Sequence, residues 1–118
     1  MTSADPEALL PLPPVTFHIL VALAGDDLHG YAIMREVAER TGGALKLGAG
    51  TLYRSIQRML DQALITEVTT RPAPDLDDER RRYYRLTPFG RLVAMAEAGR
   101  LARMVKLARA SGLAPGKS

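Results

Sequence analysis

Apolar residues recur with helical spacing in the first half and the last third of this chain, and with strand spacing in between. The stretch Pro14–Gly25 predicts a short, largely buried helix, since proline favours the first helical position and glycine the helix end. A second helix is predicted from about Gly30 to Thr41, closed by Gly42-Gly43. The chain therefore begins with two short helices.

The stretch "GAGTLYRSIQRMLDQ" predicts a third helix, from about Gly50 to Gln62, with two chemically different faces. At 100° per residue, its apolar residues fall within about 100° of arc and form a core-facing stripe. These are Leu52, Ile56, Met59 and Leu60. The opposite pole carries Thr51, Arg54, Gln57 and Arg58.

After Ala63 the apolar spacing changes toward that of a strand. The segments "LITEVTT" and "RRYYRL" are rich in β-branched and aromatic residues, and the proline-rich, acidic "RPAPDLDDER" between them predicts a loop. Thr87 and Pro88 then predict the start of a long last helix that runs to about Ala110. The predicted element order is three helices, a β-hairpin and a long helix.

This order predicts a mainly α fold with a β-hairpin, namely a winged helix-turn-helix domain followed by a long C-terminal dimerisation helix. In that architecture the third helix enters the major groove of DNA and the hairpin, or wing, lies beside it. The expected divisions are a flexible segment over 1–13, the winged domain over 14–87, the dimerisation helix over 88–112 and a flexible tail over 113–118.

The last helix carries two apolar stripes of i, i+3, i+4, i+7 spacing. The first comprises Phe89, Leu92, Val93 and Ala96, and the second Leu101, Met104, Val105 and Ala108. Twelve residues separate the two, a rotation of about 120°, so the stripes are expected to pack on two different bodies. We interpret the first as packing on its own domain and the second as the homodimer interface. The alternative is a solvated extension with incidental apolar residues.

The charge is unevenly distributed. The net charge is +3, but residues 1–45 hold two Lys/Arg and six Asp/Glu, whereas residues 46–118 hold fourteen and seven. This segregation favours a surface that meets a polyanion. There is no Cys and no Trp, and no apolar run is long enough to span a bilayer, so the expectation is a cytoplasmic protein away from membranes.

No constellation for catalysis or for binding a metal or other cofactor stands out. Neither His18 nor His29 has a second ligand at metal-binding spacing, and both are interpreted as structural. There is also no Ser-His-Asp grouping and no phosphate-cradling glycine loop. The sequence does not predict an enzyme.

The polar pole of the third helix is suited to double-stranded DNA. Lys46 and Thr51 lie at the helix entry, where backbone N–H groups, a hydroxyl and added positive charge favour phosphate. Thr51 and Arg54 are the residues that we expect to make contacts in the groove. Arg54 can pair with guanine and Gln57 with adenine, while Arg58 reaches a base or a phosphate. The alternative is an ordinary solvated helix face.

The wing base supplies further candidate contacts. Strand alternation puts Tyr84 on the core face and Arg81, Tyr83 and Arg85 on the face that could lie along the phosphate backbone. Alternatively, the arginines of the loop offset its own acids. Tyr53, at the edge of the apolar stripe, either packs against the wing or bonds a phosphate with its hydroxyl.

Three blocks of this sequence together resemble the N-terminal domain of the PadR-like transcriptional regulators. They are "HILVALAGDDLHGYAIMREVAERTGG", "LGAGTLYRSIQRMLDQALI" and "DERRRYYRLTPFGR", which carry the HGY, GTLY and RRYYRLT motifs over roughly residues 12–92. One departure is Ala49, where many relatives have proline before GTLY. The short segment after the wing is typical of the subclass with a single C-terminal helix.

The resemblance implies a winged helix-turn-helix homodimer that represses nearby genes, and it favours a phosphate contact for Tyr53. Ligand-responsive relatives hold a small-molecule effector between the dimerising helices. Here that region has no aromatic residue after Phe89, so the sequence does not support a pocket that stacks flat ligands. An aliphatic pocket is the alternative, and the identity of any effector is unknown. The alternative function is a winged-helix module for protein–protein interaction with only non-specific DNA affinity.

Overall fold

The computed structural model describes residues 5–68 and 82–114. A 3-10 helix, Pro6–Leu9, precedes the main elements. These are α1 Pro14–Leu23, β1 Leu28–His29, α2 Gly30–Arg40, α3 Ala49–Asp61, β2 Ile65–Val68, β3 Tyr83–Leu86 and α4 Pro88–Ala110. The predicted loop "RPAPDLDDER", the candidate residue Arg81 and the last four residues of the predicted tail lie outside the described residues.

The predicted fold class is confirmed: three helices precede a hairpin, and a long helix follows it. The sheet has three antiparallel strands in the order β1-β3-β2, with β3 in the centre. In β1, Leu28 pairs with Tyr84 and His29 with Tyr83, which ties the start of α2 to the wing. The two-residue strand β1 was not predicted, because two residues show no periodicity.

Local chemistry explains where the helices begin and end. The Thr87 side chain accepts a hydrogen bond from the Gly90 N–H at 2.8 Å, and Pro88 takes the first turn of α4, as predicted. His29 caps α2 by accepting from the Ala32 N–H at its Nδ1. This confirms a structural role for His29. Gly42 and Gly43, both with positive φ, end α2.

The core lies between the three short helices, the sheet and the first half of α4. The buried side chains of α3 are Leu52, Ile56 and Met59, as its apolar stripe predicts, while Leu60 is half-buried. They pack with α1 and α2 and with Tyr84 of β3. This packing fixes one face of α3 inward, and so turns its polar pole outward.

The first apolar stripe predicted for α4 is partly wrong. Leu92 is 52% exposed, and the buried residues are Gly90, Val93 and Glu97. The reason is that α4 packs on α1 and the N-terminal 3-10 helix, so that residues three and four apart around Val93 face the core. The predicted second stripe, Leu101–Ala108, consequently lies within about 40° of the buried face rather than 120° away from it.

The N-terminal segment differs from the expected flexible stretch over 1–13. Leu12 is buried, and the segment from Asp5 onward lies against α4. The Leu12 N–H donates to Glu97 Oε2 at 3.0 Å, and Arg100 donates to the same carboxylate at 2.6 and 2.9 Å. A buried carboxylate therefore holds the segment in place.

Candidate nucleic-acid interface

The outward pole of α3 carries the residues predicted to contact DNA. Thr51, Arg54, Gln57 and Arg58 are all exposed. Lys46 is exposed in the loop just before the helix. The structure thus brings all five onto one helix and its entry, with their functional groups toward solvent.

The cations of this pole have no ion-pair partner among the described residues. Within residues 5–68 and 82–114, no carboxylate lies within ion-pair distance of Lys46, Arg54 or Arg58. By contrast, Arg40 on α2 is held by Glu36 at 2.8 Å. Unpaired arginines on an exposed helix pole retain their donors for another acceptor, such as a base edge or a phosphate.

Tyr53 lies at the edge of the pole with 47% of its surface exposed. Its ring end sits directly over Gly30, the first residue of α2, so closely that a Cβ at Gly30 would collide with the phenol. Glycine at this position leaves room for the phenol in its present place. The contact places the Tyr53 hydroxyl beside the start of α2 rather than in the core. The ring end of Tyr53 is therefore packed against α2 while about half of the residue stays exposed.

The wing base confirms the predicted alternation of β3. Tyr84 is buried, Tyr83 is half-buried and Arg85 is exposed. Tyr83 packs edge-on against His29, with ring centroids 5.3 Å apart. Burial and, secondarily, the nearby Glu67 carboxylate raise the pKa of Tyr84.

Arg85 is not available to a phosphate in the way strand alternation suggests. Its Nε and Nη2 donate to the two oxygens of Asp27 at 3.1 and 2.8 Å, a bidentate ion pair. The hydrogen bond from Arg85 lowers the pKa of Asp27, and the same bond raises the pKa of Arg85. Asp27 directly precedes β1, so the pair clamps the wing base to the start of α2.

An exposed aromatic and cationic cluster beside the wing was missed by the sequence interpretation. Tyr31 is 61% exposed, the Arg35 guanidinium carbon lies 5.4 Å from the centre of its ring, and the His29 ring is stacked with it at a centroid distance of 6.4 Å. The spacing of Tyr31 and Arg35, four residues apart on a helix, was the available signal. The cluster adjoins Tyr83 and extends the candidate surface along α2.

A groove of about 890 Å³ separates α3 from the sheet. It is lined by Tyr53, Ile56, Gln57, Leu60, Glu67, Arg82 and Tyr84. Across its rim, Arg82 and Glu67 lie 3.5 Å apart. The groove places Gln57 on the side of the pole that faces the wing.

The second candidate surface lies on α4. Met104 is 52% and Val105 42% exposed, whereas Leu101 and Ala108 are half-buried. No element of the described chain covers this face. None of the described helices has the length and apolarity needed to cross a membrane, and the described residues contain no group of three His, Asp or Glu side chains able to hold a metal ion.

Together, the helix order, the hairpin beside α3 and the exposed polar pole define a winged helix-turn-helix protein of the transcription-regulator class. The profile of the transcriptional regulator PadR-like family matches residues 19–96, more than half of the chain. The chain belongs to this family.

Solved structures agree with this assignment. A PadR family transcription regulator from Clostridium difficile superposes with a TM-score of 0.70 at 26% identity, covering 82% of this chain and 96% of the other. Bacillus subtilis PadR, solved with operator DNA, gives a TM-score of 0.60 at 24% identity and covers 71% of this chain. This chain spans only 47% of that protein. Among curated proteins no relative was detected.

Proposed function

We propose that this protein is a sequence-specific DNA-binding regulator, a homodimeric repressor that binds a pseudo-palindromic operator. The observation that supports it most strongly is the pole of α3, which presents Arg54 and Arg58 exposed and unpaired within the described chain. Their guanidinium donors are therefore available to a base edge or a phosphate, whereas Arg40 has its Nε on Glu36. No catalytic activity is proposed.

Each residue of the pole has a distinct proposed role. Arg54 donates two parallel bonds to guanine O6 and N7, and Gln57 pairs with adenine. Thr51 and Lys46 bind phosphate at the entry of α3, and Arg58 reaches a base or a phosphate beyond them. Tyr53, Tyr83 and Arg81 contact the backbone on the wing side.

The first test compares wild type with Arg54→Ala in binding to the DNA upstream of its own gene. We expect wild type to prefer this DNA over random duplex, and Arg54→Ala to lose about five- to a hundred-fold in affinity for it, since a bidentate guanine contact is worth about 1–3 kcal/mol. Fluorescence anisotropy over a range of salt concentrations measures both quantities.

The matched control is Arg40→Ala, which removes an equal charge from an exposed but paired arginine. It should leave discrimination unchanged. If wild type binds every duplex equally and Arg54→Ala changes nothing, the pole does not recognise bases, and the alternative of a protein-interaction module takes the place of the regulator.

The proposed dimer uses the exposed apolar face of α4, formed by Leu101, Met104, Val105 and Ala108. This face continues the buried face of the helix beyond the domain, so a second copy of α4 would extend the same packing. A two-fold dimer of this kind must place its two α3 helices about 34–36 Å apart to enter successive major grooves.

Met104→Glu is expected to weaken dimerisation by about a hundred-fold or more, because it buries a carboxylate at the centre of the interface. Lys106→Glu is the control, since it introduces the same side chain nearly opposite on the same helix. Sedimentation equilibrium measures the association constants, and circular dichroism verifies that both variants fold. A dimer equally strong in all three proteins would refute this interface.

A further inference from the structure

The side-chain amide of Gln57 is held by a second residue of α3. Gln57 Nε2 donates to Asp61 Oδ1 at 3.1 Å. The two residues are four apart, and therefore adjacent on the helix surface. Both are exposed, so this bond is formed at the surface that faces outward beside the groove.

The bond leaves one defined pair of groups on Gln57. A primary amide has two N–H groups and one carbonyl oxygen. The N–H trans to the carbonyl oxygen can serve Asp61, which leaves the carbonyl oxygen and the N–H beside it together on one edge. That edge matches adenine, which offers the N6 amino group as donor and N7 as acceptor in the major groove. A flipped amide would place an N–H where the oxygen now lies, and would lose this match.

The position of Asp61 is electrostatically unfavourable. It is an acid in the last turn of α3, where the helix dipole disfavours negative charge. Within the described chain its only side-chain partner is Gln57, although Arg58 lies three residues before it. Its charge also stands on the pole that would approach a polyanion, so it must weaken binding to DNA of any sequence.

We propose that Asp61 is a positioning residue that sets base specificity: it orients the Gln57 amide for adenine and lowers the affinity for non-specific DNA. This inference rests on the proposed function. It assigns to Asp61 a cost in affinity and a gain in discrimination, two effects with opposite signs. If Asp61 served only to stabilise α3, its removal would lower both the affinity for DNA and the discrimination between sequences.

The experiment uses the full chain and a randomised duplex library, from which wild type selects its preferred sites. Base preference is then measured at each selected position for wild type, Gln57→Ala, Asp61→Ala and Asp61→Asn. Asparagine keeps an acceptor oxygen but removes the charge, so this variant separates orientation from electrostatics. Thermal unfolding of each variant verifies that α3 remains folded.

We expect wild type to prefer adenine by about tenfold or more at one position in each half-site. Gln57→Ala and Asp61→Ala should both lose that preference at the same position and keep the others. Asp61→Asn should retain it. Both Asp61 variants should bind random duplex more tightly than wild type, and with a steeper dependence on salt.

An unchanged base profile in Asp61→Ala, or a loss at positions that Gln57→Ala does not affect, would overturn the positioning role. Loss of the preference in Asp61→Asn would overturn the orientation mechanism. If wild type selects no sequence from the library, the proposed function fails as well. If wild type is selective but Asp61→Ala has the same base preference, only the positioning role of Asp61 fails.

Discussion

Gly90→Ala is expected to destabilise the folded protein by about 3 kcal/mol or more, enough to unfold a large fraction of a marginally stable domain. A Cβ at this position would overlap the Leu64 carbonyl oxygen and carbon, and would stand 3.0 Å from Leu86 Cδ1. Overlap with a backbone carbonyl cannot be relieved by changing a rotamer. Relief would require α4 to move away from the core.

The Leu64 carbonyl is itself fixed. It accepts a hydrogen bond from the Thr87 N–H at 3.1 Å, and the Leu64 side chain is fully buried. The Thr87 hydroxyl is shared between the Ala63 carbonyl oxygen at 2.7 Å and that of Leu64 at 3.0 Å. Thr87 also caps α4 through the Gly90 N–H. A shift of the carbonyl would therefore break the junction that joins the end of α3 to the start of α4.

Gly99→Ala on the same helix provides the control. A Cβ there would meet only the Arg103 guanidinium at 3.5 Å, the end of a flexible side chain. Since alanine favours helices over glycine, this variant should gain about 0.5–1 kcal/mol. Urea unfolding followed by circular dichroism measures both. Equal stability of the two variants would contradict the close approach of α4 to Leu64.

Much of this fold could be predicted because its signals are local. The apolar stripe of α3, the Thr87-Pro88 start of α4 and the strand alternation around Tyr84 each depend on neighbours within a few residues. The polar pole of α3 followed from the same periodicity, because burying one face of a helix exposes the other.

Two of the features that were missed depend on contacts between residues far apart in sequence. Arg85 is exposed on β3 as predicted, but its partner Asp27 lies 58 residues earlier, and no periodicity reveals that pair. Leu92 was assigned to the wrong environment, and the burial of Glu97 was not predicted, for a related reason. Hydropathy puts leucine inside and glutamate outside, whereas the N-terminal segment supplies a donor that makes burial of Glu97 favourable.

The residues of the candidate site were predicted from the sequence, but the contacts that orient their side chains were not. The pattern identifies Gln57 as a base-contacting candidate without indicating that Asp61 holds its amide. It likewise identifies Tyr53 without the contact to Gly30, which depends on how α2 and α3 cross. Composition thus indicates what a surface can bind, while orientation requires the folded chain.

Removing the Glu97 carboxylate is the second change that we expect to lower the stability of the folded protein strongly. Glu97 is 2% exposed, and it satisfies the backbone N–H of Leu12 and the guanidinium of Arg100. Glu97→Ala should cost about 2–3 kcal/mol at neutral pH, because it leaves a buried donor unpaired and opens a cavity. The N-terminal segment should then become accessible to proteolysis near Leu12.

Glu97→Gln tests the charge separately, through the dependence of stability on pH. The hydrogen bonds from Arg100, aided by the Leu12 N–H, hold the pKa of Glu97 below its usual value of 4.5 despite the opposing effect of burial. A carboxyl whose pKa is lower in the folded state stabilises the protein above its unfolded pKa, and this stabilisation is lost as the pH falls through the folded value. The stability difference between wild type and Glu97→Gln should therefore be largest near pH 7 and shrink as the pH falls below 4.5 and through the lowered pKa of the folded state, where wild type gains a protonated, neutral side chain like that of glutamine. Glu36→Gln, at the exposed pair with Arg40, should differ from wild type by less than about 1 kcal/mol throughout.

Urea unfolding midpoints across this pH range measure these differences. A stability difference for Glu97→Gln that does not vary with pH would mean that the ionised carboxylate is not what holds the N-terminal segment to α4.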